Sequence, residues 1–253
     1  MMGPLLEIRR LYKHFGGVVA TDHLDLAVAA GGVHALIGPN GAGKTTLIAQ
    51  ICGEIEPDTG GIVFAGGDIT AAPAHERVAL GLARSFQVTR IFGRLAVREN
   101  VALAVQARSG SSMRFWQPVA AERALREEAD AILDELGLAA SAAQPAASLP
   151  HAGQRRLEVA LALACQPRLL LLDEPLAGMG AEDAQAMIEL IARIKQRAAI
   201  LLVEHDMDAV FRLADVISVL VAGRVIASGP PQAVRENPEV RSAYLGEEEG
   251  VAA

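Results

Sequence analysis

Aromatic residues and positive charge are both scarce in this chain. Aromatic residues make up 4% of its 253 residues, and 23 lysines and arginines stand against 30 aspartates and glutamates, for a net charge of −7. Proteins that bind nucleic acid neutralise phosphates with a basic surface, and many stack bases on aromatic rings. The composition therefore argues against a general nucleic-acid binder, and we expect no nucleic-acid partner.

Cysteine is equally rare, and the chain contains only Cys52 and Cys165. Both lie in apolar stretches of the sequence. Small secreted proteins use dense disulfide frameworks, and two distant cysteines do not make one. We expect two buried free thiols and a reducing compartment.

Long hydrophobic runs are missing, although 51% of the residues are hydrophobic and the mean hydropathy is +0.29. A membrane-spanning helix needs about 20 consecutive apolar residues. The densest apolar runs, residues 159–165 and 169–172, are far shorter. Residues 1–10 carry their arginines after the apolar residues, unlike a secretory signal. We expect a soluble cytoplasmic protein with enough apolar material for a large core.

The chain does contain a regular alternation of short β-rich runs and helical patterns. This alternation predicts an α/β fold with a mostly parallel sheet covered by helices on both faces. The turn-rich early segment, residues 5–28 and 61–65, predicts an additional antiparallel β subdomain. From about residue 97 to 165 the pattern is helical throughout, so we expect one domain over 1–253 with an inserted helical subdomain at about 88–165. The predicted strands are 5–8, 25–28, 33–37, 169–172, 200–203 and 216–221, and the predicted helices are 45–52, 120–136, 181–194 and 207–213.

A glycine-rich loop follows the predicted strand 33–37. It matches the G-x-x-x-x-G-K-[ST] phosphate-binding motif and opens a helix at Lys44, as the motif requires. Glycines let the backbone wrap phosphates, so that several N–H groups and a helix N-terminus point at the anion. We expect Lys44 to reach the β- and γ-phosphates and the Thr45 hydroxyl to ligate Mg²⁺. The predicted nucleoside triphosphate site consists of Gly38, Pro39, Asn40, Gly41, Ala42, Gly43, Lys44, Thr45 and Thr46.

The apolar run 169–172 ends in two acids, Asp173 and Glu174. We expect Asp173 to hold Mg²⁺, directly or through water, and Glu174 to polarise the attacking water. A hydrophobic strand that ends in an acid is common by itself, and it gains meaning from the phosphate loop. The two motifs together predict hydrolysis of a nucleoside triphosphate.

With these motifs placed, the chain resembles the ATP-binding subunits of ABC transporters over nearly its whole length. Within that family it looks most similar to the ATPase subunits of bacterial branched-chain amino-acid importers. The resemblance implies the P-loop NTPase core of ABC ATPases, with ATP and Mg²⁺ as ligands and ATP hydrolysis as the activity. The supporting stretches are Lys-His-Phe-Gly-Gly at 13–17, Ala-Arg-Ser-Phe-Gln at 83–87, Gln-Arg-Arg-Leu-Glu at 154–158, Leu-Val-Glu-His-Asp-Met at 202–207 and Asn-Pro-Glu-Val-Arg-Ser-Ala-Tyr-Leu-Gly at 237–246.

The resemblance also implies roles for individual residues. Phe15 falls where these proteins stack an aromatic ring on adenine, with Tyr12 as a nearby competitor. Gln87 occupies the glutamine-loop position, which touches the Mg²⁺ and water site and relays to the membrane subunit. His205 matches the switch histidine that contacts the γ-phosphate. The expected catalytic residues are Glu174, His205, Gln87 and Lys44, and the expected metal ligands are Thr45, Gln87 and Asp173.

The signature loop departs from the family pattern, which is usually Leu-Ser-Gly-Gly-Gln. Pro150 replaces the serine whose hydroxyl meets the partner's γ-phosphate, and it removes an N–H where helix N-terminal donors are needed. Ala152 replaces a glycine, at little cost if the backbone stays right-handed and at a much larger cost if φ must be positive. A one-residue shift would align His-Ala-Gly-Gln with Ser-Gly-Gly-Gln, but it would put the following helix out of phase. In register with Gln-Arg-Arg at 154–156, the loop consists of Leu149, Pro150, His151, Ala152 and Gly153.

A second departure lies at Gly180, where many relatives have Asp or Asn in the loop that connects the two ATP sites of a dimer. The resemblance implies such a head-to-tail dimer, docked on two membrane permease subunits at the cytoplasmic face and served indirectly by a periplasmic substrate-binding protein. We expect a second ATPase subunit as partner, in a heterodimer or a homodimer. The degenerate signature loop predicts an asymmetric pair.

Other functions stay open at the level of the sequence. A soluble ABC ATPase that works on DNA, ribosomes or cluster assembly is disfavoured by the acidic balance and the lack of a basic arm. A regulatory module that uses ATP only to dimerise is kept open by the signature loop. Because the ATPase subunit never touches the transported substrate, urea, amides and other amino acids are alternatives to branched-chain amino acids.

Overall fold

The computed structural model of the protein describes residues 3–85, 91–109 and 119–245, with side chains left out at 119–122 and 244–245. The elements alternate along the chain much as the sequence predicts. The strands are β1 (Leu6–Phe15), β2 (Val18–Val28), β3 (Val33–Ile37), β4 (Thr59–Phe64), β5 (Gly67–Asp68), β6 (Leu82–Arg84), β7 (Leu169–Asp173), β8 (Ala199–Val203), β9 (Val216–Val221) and β10 (Arg224–Gly229). The helices are α1 (Lys44–Cys52), α2 (Ala74–Ala79), α3 (Val97–Arg108), α4 (Val119–Glu135), α5 (His151–Ala164), α6 (Ala181–Ile194), α7 (Met207–Leu213), α8 (Pro231–Glu236) and α9 (Pro238–Leu245).

The strands form two sheets. One is antiparallel in the order β2-β1-β4-β5, and the other has the order β10-β9-β3-β8-β7-β6. In the second sheet all pairs are parallel except β10 with β9. The predicted α/β fold, with a mostly parallel sheet, an antiparallel β subdomain and an insertion of helices, is confirmed.

Several strands are longer than predicted or were missed. The register of β1 against β2 shifts between Ile8 and Leu11 and again beyond, so bulges interrupt the alternation that marks a strand. This is why the sequence predicted only residues 5–8 and 25–28 of these two strands. Strand β6 has three residues, too few for any periodicity, and β10 follows a tight turn at Ala222 and Gly223, whose φ angles are both positive.

The apolar run 169–172 forms the centre of the core. Leu169 and Leu171 pack into the cluster beside α1 and the antiparallel sheet, whereas Leu170 and Leu172 pack into the cluster beside α3, α5 and α6. Successive side chains of a strand point to opposite faces, so a strand buried on both faces reads as a continuous apolar run. This arrangement holds the end of β7 rigidly between two cores.

Arg77 of α2 is almost fully buried, and no carboxylate of the described residues forms an ion pair with it. Its guanidinium donates instead to the carbonyls of Gln50 and Ile51 at the end of α1, and to those of Thr70 and Ala72. The last carbonyls of a helix lack partners within it and attract positive charge. Arg77 therefore fastens α2 to the C-terminal end of α1.

The two cysteines are both free, as expected, although only Cys52 is buried and Cys165 is half-buried. Burial raises the pKa of the Cys52 thiol to about 12. Within the part of the chain that the structure describes, no helix combines the length and the apolar character needed to cross a bilayer.

Candidate functional site

Three loops that carry predicted site residues, and the end of strand β6, meet at one edge of the parallel sheet. Strands β3, β8, β7 and β6 are consecutive neighbours and run in the same direction. Their carboxyl ends lead, in that order, to the phosphate loop, to His205, to Asp173 with Glu174, and to Ser85. Ligands of open α/β sheets bind at this edge. The fold thus brings together motifs that are far apart in sequence: Thr45 and His205 are 160 residues apart.

The phosphate loop connects β3 to α1 and presents an uncapped helix start. Gly43, the capping residue, has φ 103°, and a Cβ there would lie 2.1 Å from the carbonyl oxygen of Ala20. Only glycine fits this position. No side-chain hydrogen bond caps this end of α1. The N–H groups of the first turn, from Lys44 to Thr46, therefore point into a site suited to an anion.

The β9–β10 turn braces the same loop from the side. Gly223 donates its N–H to the carbonyl of Ala42 at 2.9 Å and accepts from the N–H of Asp22 at 2.9 Å. The turn thus links the phosphate loop to β2 of the antiparallel sheet. No sequence motif predicts this role for the turn.

Lys44 lies along the inner side of the loop. Its ammonium donates to the carbonyls of Gly38 at 2.6 Å and Pro39 at 3.0 Å. Burial lowers the pKa of Lys44, and the negative charges of Glu174 and Asp173 act in the opposite direction. The lysine and the two acids therefore lie close enough to influence one another electrostatically.

Asp173 ends β7 and is 4% exposed, and Glu174 follows it at the edge. The Asp173 carboxylate accepts a hydrogen bond of 2.9 Å from Arg84 of the neighbouring strand β6. Glu174 has φ 49°, which is uncommon for a residue other than glycine, and its N–H donates to the carbonyl of Val203. The left-handed backbone at Glu174 turns its side chain out of the sheet while β8 holds the main chain.

Glu204 is a positioning residue, a role that no sequence motif predicted. Its side chain is 1% exposed and accepts hydrogen bonds from the N–H of Leu176 at 2.9 Å and from the N–H of His205 at 3.1 Å. Burial raises the pKa of this carboxyl, and the backbone N–H donors oppose that change. One buried acid thus joins the turn after Glu174 to the loop of His205. The sequence contained one signal for this role, an acid placed directly after the apolar strand β8.

His205 lies beside Glu174 with its ring largely exposed, at 68%. Its Nδ1 atom is 3.9 Å from Oε1 of Glu174 and 4.0 Å from Oε2 of Glu204. These separations are too long for hydrogen bonds but within ion-pair range. The imidazole is therefore next to the proposed base and free to turn toward a ligand.

The two aromatic candidates lie on β1, in the hairpin that β1 forms with β2. Phe15 is 48% exposed, with the Lys13 ammonium 5.5 Å from its ring centroid. Tyr12 is half-buried and its ring packs against those of His14 and His23. Phe15 thus has an open ring face, whereas Tyr12 is engaged within the protein. Gln87, the remaining candidate of the catalytic set, lies outside the described residues.

The signature loop forms the start of α5. Pro150 is the capping residue, and His151, Ala152 and Gly153 form the first turn of the helix. Ala152 is buried and has no positive φ, so its methyl group imposes no backbone strain. A Cβ at Gly178 (φ +73°) would lie 3.3 Å from Cε1 of His151, which places the signature loop against the loop 177–180.

The donor set is compatible with Mg²⁺ but not with a preformed protein cage. Thr45 supplies a hydroxyl and Asp173 a carboxylate beside the phosphate loop, and among the described residues no cluster of three or more His, Cys, Asp or Glu side chains could hold a metal. Mg²⁺ typically takes one or two protein oxygen ligands and completes its shell with phosphates and water. The site therefore fits a metal that arrives with a nucleotide.

Comparison with known proteins places this geometry in a family. The sequence model of the family described as "ABC transporter" matches residues 21–177, and that described as "Branched-chain amino acid ATP-binding cassette transporter" matches residues 224–250. The chain is 36% identical, over 98% of its length and 100% of the relative's, to the high-affinity branched-chain amino acid transport ATP-binding protein LivG of Escherichia coli K12. It has the same identity and coverage with BraF of Pseudomonas aeruginosa. It is 35% identical to the lipopolysaccharide export system ATP-binding protein LptB of Acidithiobacillus ferridurans, over 98% and 99% of the two chains.

Solved structures show the same fold. A nucleotide-free ATP-binding cassette from an ABC transporter superposes with a TM-score of 0.83 at 28% identity, covering 95% of this chain and 98% of the other. An ATP-binding cassette of an ABC transporter in its ADP conformation superposes with a TM-score of 0.82 at 27% identity, covering 96% of this chain and 99% of the other. The phosphate loop, the acids after β7 and the matches over nearly the whole sequence lead to one conclusion: the chain belongs to the ABC transporter ATPases, in the branch of branched-chain amino-acid ATP-binding subunits.

Proposed function

We propose that this chain energises an importer of branched-chain amino acids from the cytoplasmic face of the membrane, docked on two permease subunits and hydrolysing ATP with Mg²⁺. The observation that carries the proposal is the meeting of the phosphate loop, Asp173, Glu174 and His205 at one edge of the sheet. This edge combines anion binding, a metal ligand and a candidate base, which are the parts of a phosphoryl-transfer site.

The residues have separate tasks in this proposal. Lys44 and the first turn of α1 bind the phosphates of ATP, while the open ring of Phe15 stacks on adenine. Glu174 takes a proton from the attacking water, and His205 contacts the γ-phosphate. Thr45, Asp173 and Gln87 would hold Mg²⁺, which when bound offsets negative charge on the β- and γ-phosphates.

We further propose an asymmetric head-to-tail pair with a second ATPase subunit. The site on Lys44, Asp173 and Glu174 would use the partner's signature loop and hydrolyse ATP well. The opposite site would use Pro150–Gly153 of this chain, bind ATP and turn it over poorly. The support is local: Pro150 has neither the hydroxyl nor the N–H that serine would offer, whereas the N–H groups of the next three residues are kept.

An apolar groove offers a surface for the permease. It has a volume of about 510 Å³ and lies between the end of α1, α2, β6, α3 and α5. On its lining, Phe92 is 62%, Leu103 42% and Val78 41% exposed. Large exposed apolar side chains gathered in one groove are typical of protein interaction sites. We call this surface the α3–α5 groove and propose that a permease segment fills it.

Co-purification with the permease subunits tests the proposal. The tagged chain should retain both permeases through detergent extraction, and the permeases should raise its ATP turnover. Leu103→Gln, which puts a polar group into the groove, should reduce retention and stimulation by about tenfold, since loss of one buried leucine side chain at an interface costs roughly 1–2 kcal/mol.

Leu80→Gln is the matched control, because Leu80 is similarly exposed, at 48%, but does not line the groove. It should behave as the unaltered chain. If the chain does not associate with any permease, the importer proposal is wrong and a soluble ABC ATPase is favoured. If Leu80→Gln and Leu103→Gln act alike, the permease does not use the groove.

The substrate class rests on the C-terminal match rather than on overall identity. LptB, a lipopolysaccharide export protein by name, is 35% identical, almost the same as LivG, whereas residues 224–250 match the branched-chain amino-acid model. Proteoliposomes that hold the complete transporter and its binding protein should accumulate labelled leucine when ATP is enclosed. Uptake of urea or an amide in place of leucine would reassign the substrate and leave the ATPase role intact.

A further inference from the structure

Arg84 joins two carboxylates that belong to different surfaces. Its Nη2 atom donates to Oδ2 of Asp173 at 2.9 Å, and its Nη1 atom donates to Oε2 of Glu54 at 2.9 Å. The side chains of Arg84 and Asp173 are 10% and 4% exposed, whereas that of Glu54 is 40% exposed. A planar guanidinium can hold two carboxylates at fixed angles, which a lysine ammonium cannot do.

The fold explains why these three side chains meet. In the parallel pair β6–β7, Arg84 lies opposite Leu171, and Asp173 is two residues further along β7 on the same face. Glu54 follows the C-terminal end of α1, the helix that begins at the phosphate loop. The arginine is therefore placed where the end of β7 and the end of α1 converge.

The same arginine also reaches the α3–α5 groove. Glu54 and Arg84 both line this groove, at the end where α1 meets β6. The cluster thus runs from an exposed carboxylate at the groove to a buried carboxylate at the nucleotide site. A segment that fills the groove and brings a hydrogen-bond donor to Glu54 would compete with Arg84 for that carboxylate.

We infer that Arg84 is a positioning residue for Asp173. Through Glu54, the hydrogen bond from Arg84 to Asp173 depends on what occupies the groove. The inference rests on the proposed function, in which Asp173 holds Mg²⁺ and a permease segment fills the groove. Partners that fix a metal-binding carboxylate from outside orient it and are worth about 10–100-fold in metal affinity. Arg84 occupies Oδ2 of Asp173 and leaves Oδ1 available.

Binding of Mn²⁺ to the full-length chain in the presence of a non-hydrolysable ATP analogue tests the first step without any turnover. Electron paramagnetic resonance counts the free Mn²⁺ and gives its dissociation constant. Arg84→Lys keeps the positive charge but loses the planar guanidinium that donates to both carboxylates. It should therefore weaken Mn²⁺ binding about tenfold. An affinity within about twofold of the unaltered chain would overturn the inference.

Arg98→Lys is the matched control, because Arg98 pairs with Asp130 in the helical part and contacts neither surface. It should leave Mn²⁺ affinity unchanged. Thermal unfolding and binding of the ATP analogue without metal identify any variant that is merely misfolded. If Arg84→Lys is unstable, Glu54→Gln takes its place in the test, because it alters a half-exposed side chain and should leave the fold intact.

A double-variant cycle tests whether Glu54 acts through Arg84. Glu54→Gln should weaken Mn²⁺ binding about threefold, and the double variant should be no weaker than Arg84→Lys alone. Independent effects would multiply to about thirtyfold and would contradict the relay. Glu56→Gln makes the same chemical change at an exposed residue outside the groove lining and should have no effect.

The last measurement compares Mn²⁺ affinity with and without the permease subunits. We expect their association to change the affinity of the unaltered chain at least about threefold, and to change that of Glu54→Gln little. If the permeases bind and stimulate turnover but shift both proteins equally, the inference is wrong and the proposed function stands. If no permease binds, the proposed function fails, and with it the part of the inference that involves the groove, while the Arg84→Lys result still decides the link to Asp173.

Discussion

Glu174 combines an unusual backbone with a side chain aimed at the nucleotide edge. Its φ of 49° costs on the order of 1 kcal/mol or more for a residue other than glycine. The cost is offset by the hydrogen bond from its N–H to Val203 and by the buried Glu204, which holds the N–H of Leu176 two residues later. Strain of this kind persists only where the surroundings impose it, and here it directs a carboxylate out of the sheet.

Glu174→Gln should bind ATP normally and lose hydrolysis by about 10²–10⁴-fold, because the amide cannot accept a proton from water. Nucleotide affinity by fluorescence titration and steady-state phosphate release measure the two effects separately. Glu182→Gln, at an exposed position in the first turn of α6, is the control and should match the unaltered chain. Retained turnover in Glu174→Gln would assign the role of base to another group, with His205 the next candidate.

At the scale of elements, the order of strands decides which loops meet. The parallel strands β3, β8 and β7 are buried over all five of their residues, so their positions are set by packing on both faces. The starting points of the loops that follow these strands are therefore fixed by the packing of the sheet. The other side of β3 is joined to β9 and β10 through a chain of polar side chains, His34 to Ser218 at 2.8 Å and Ser218 to Ser228 at 2.8 Å.

His34 should make the stability of the protein sensitive to acid. Burial lowers its pKa from 6.5 to about 4. Between these two values the unfolded chain binds a proton at this histidine and the folded chain does not, so the free energy of unfolding falls as pH falls from about 6.5 to 4. The full loss from this residue is about 3 kcal/mol. Urea unfolding at pH 7, 6 and 5 should show about 2 kcal/mol of this loss by pH 5, because the rest is lost only as the pH falls to 4.

The comparison with His34→Gln isolates this contribution from the titration of carboxylates. Glutamine can still hydrogen-bond to Ser218 but does not titrate, so the variant should lose less stability between pH 7 and 5 than the unaltered chain. His75→Gln, at an exposed position on α2, is the control and should follow the unaltered chain. Parallel pH profiles for the unaltered chain and His34→Gln would contradict the prediction.

At the scale of the whole molecule, the proposed head-to-tail pair requires each ATP site to be built from two chains. The phosphate loop and the signature loop of the same chain start different helices, α1 and α5, on opposite sides of β7 and its two cores. A head-to-tail partner completes each site in the proposed pair. In that proposed pair, Pro150 would affect the site on the partner's phosphate loop and not the one on Lys44.

Restoring the signature loop should reveal this asymmetry. We expect the chain alone to hydrolyse ATP slowly, its native partner to raise turnover, and Pro150→Ser to raise the turnover of the chain alone about tenfold or more by supplying a hydroxyl to the γ-phosphate. Phosphate release at matched protein concentrations measures all three. Full activity of the chain alone, unchanged by Pro150→Ser with Ala152→Gly, would show that both sites work.

Ala152→Gly by itself is the control, since the backbone of α5 is right-handed there and glycine adds no new donor. It should leave turnover unchanged and lower stability by roughly 0.5–1 kcal/mol. A gain in turnover from Ala152→Gly equal to that from Pro150→Ser would place the defect in the loop backbone rather than in the missing hydroxyl.

Short contiguous segments of the sequence predict several elements and motifs of this protein. The phosphate loop, the apolar strand before Asp173 and the helical block could be predicted because each is encoded in a short segment with its own period or motif. The longer bulged strands β1 and β2 were predicted only in part, and β6 and β10 not at all, because three-residue edges and bulges leave no periodic signal.

The tertiary structure alone decided which of these segments cooperate. Glu54, Arg84 and Asp173 are brought together by strand order and by the end of α1, and Glu204 joins two loops through backbone N–H groups. No local pattern encodes the contacts of Arg84 with Glu54 and Asp173 or that of Glu204 with Leu176, because their partners are 28 to 89 positions apart. The sequence by itself predicted a nucleotide site and the residues that we propose to face its phosphates. The packing of the sheet determined how a groove on another surface is joined to the carboxylate at that site.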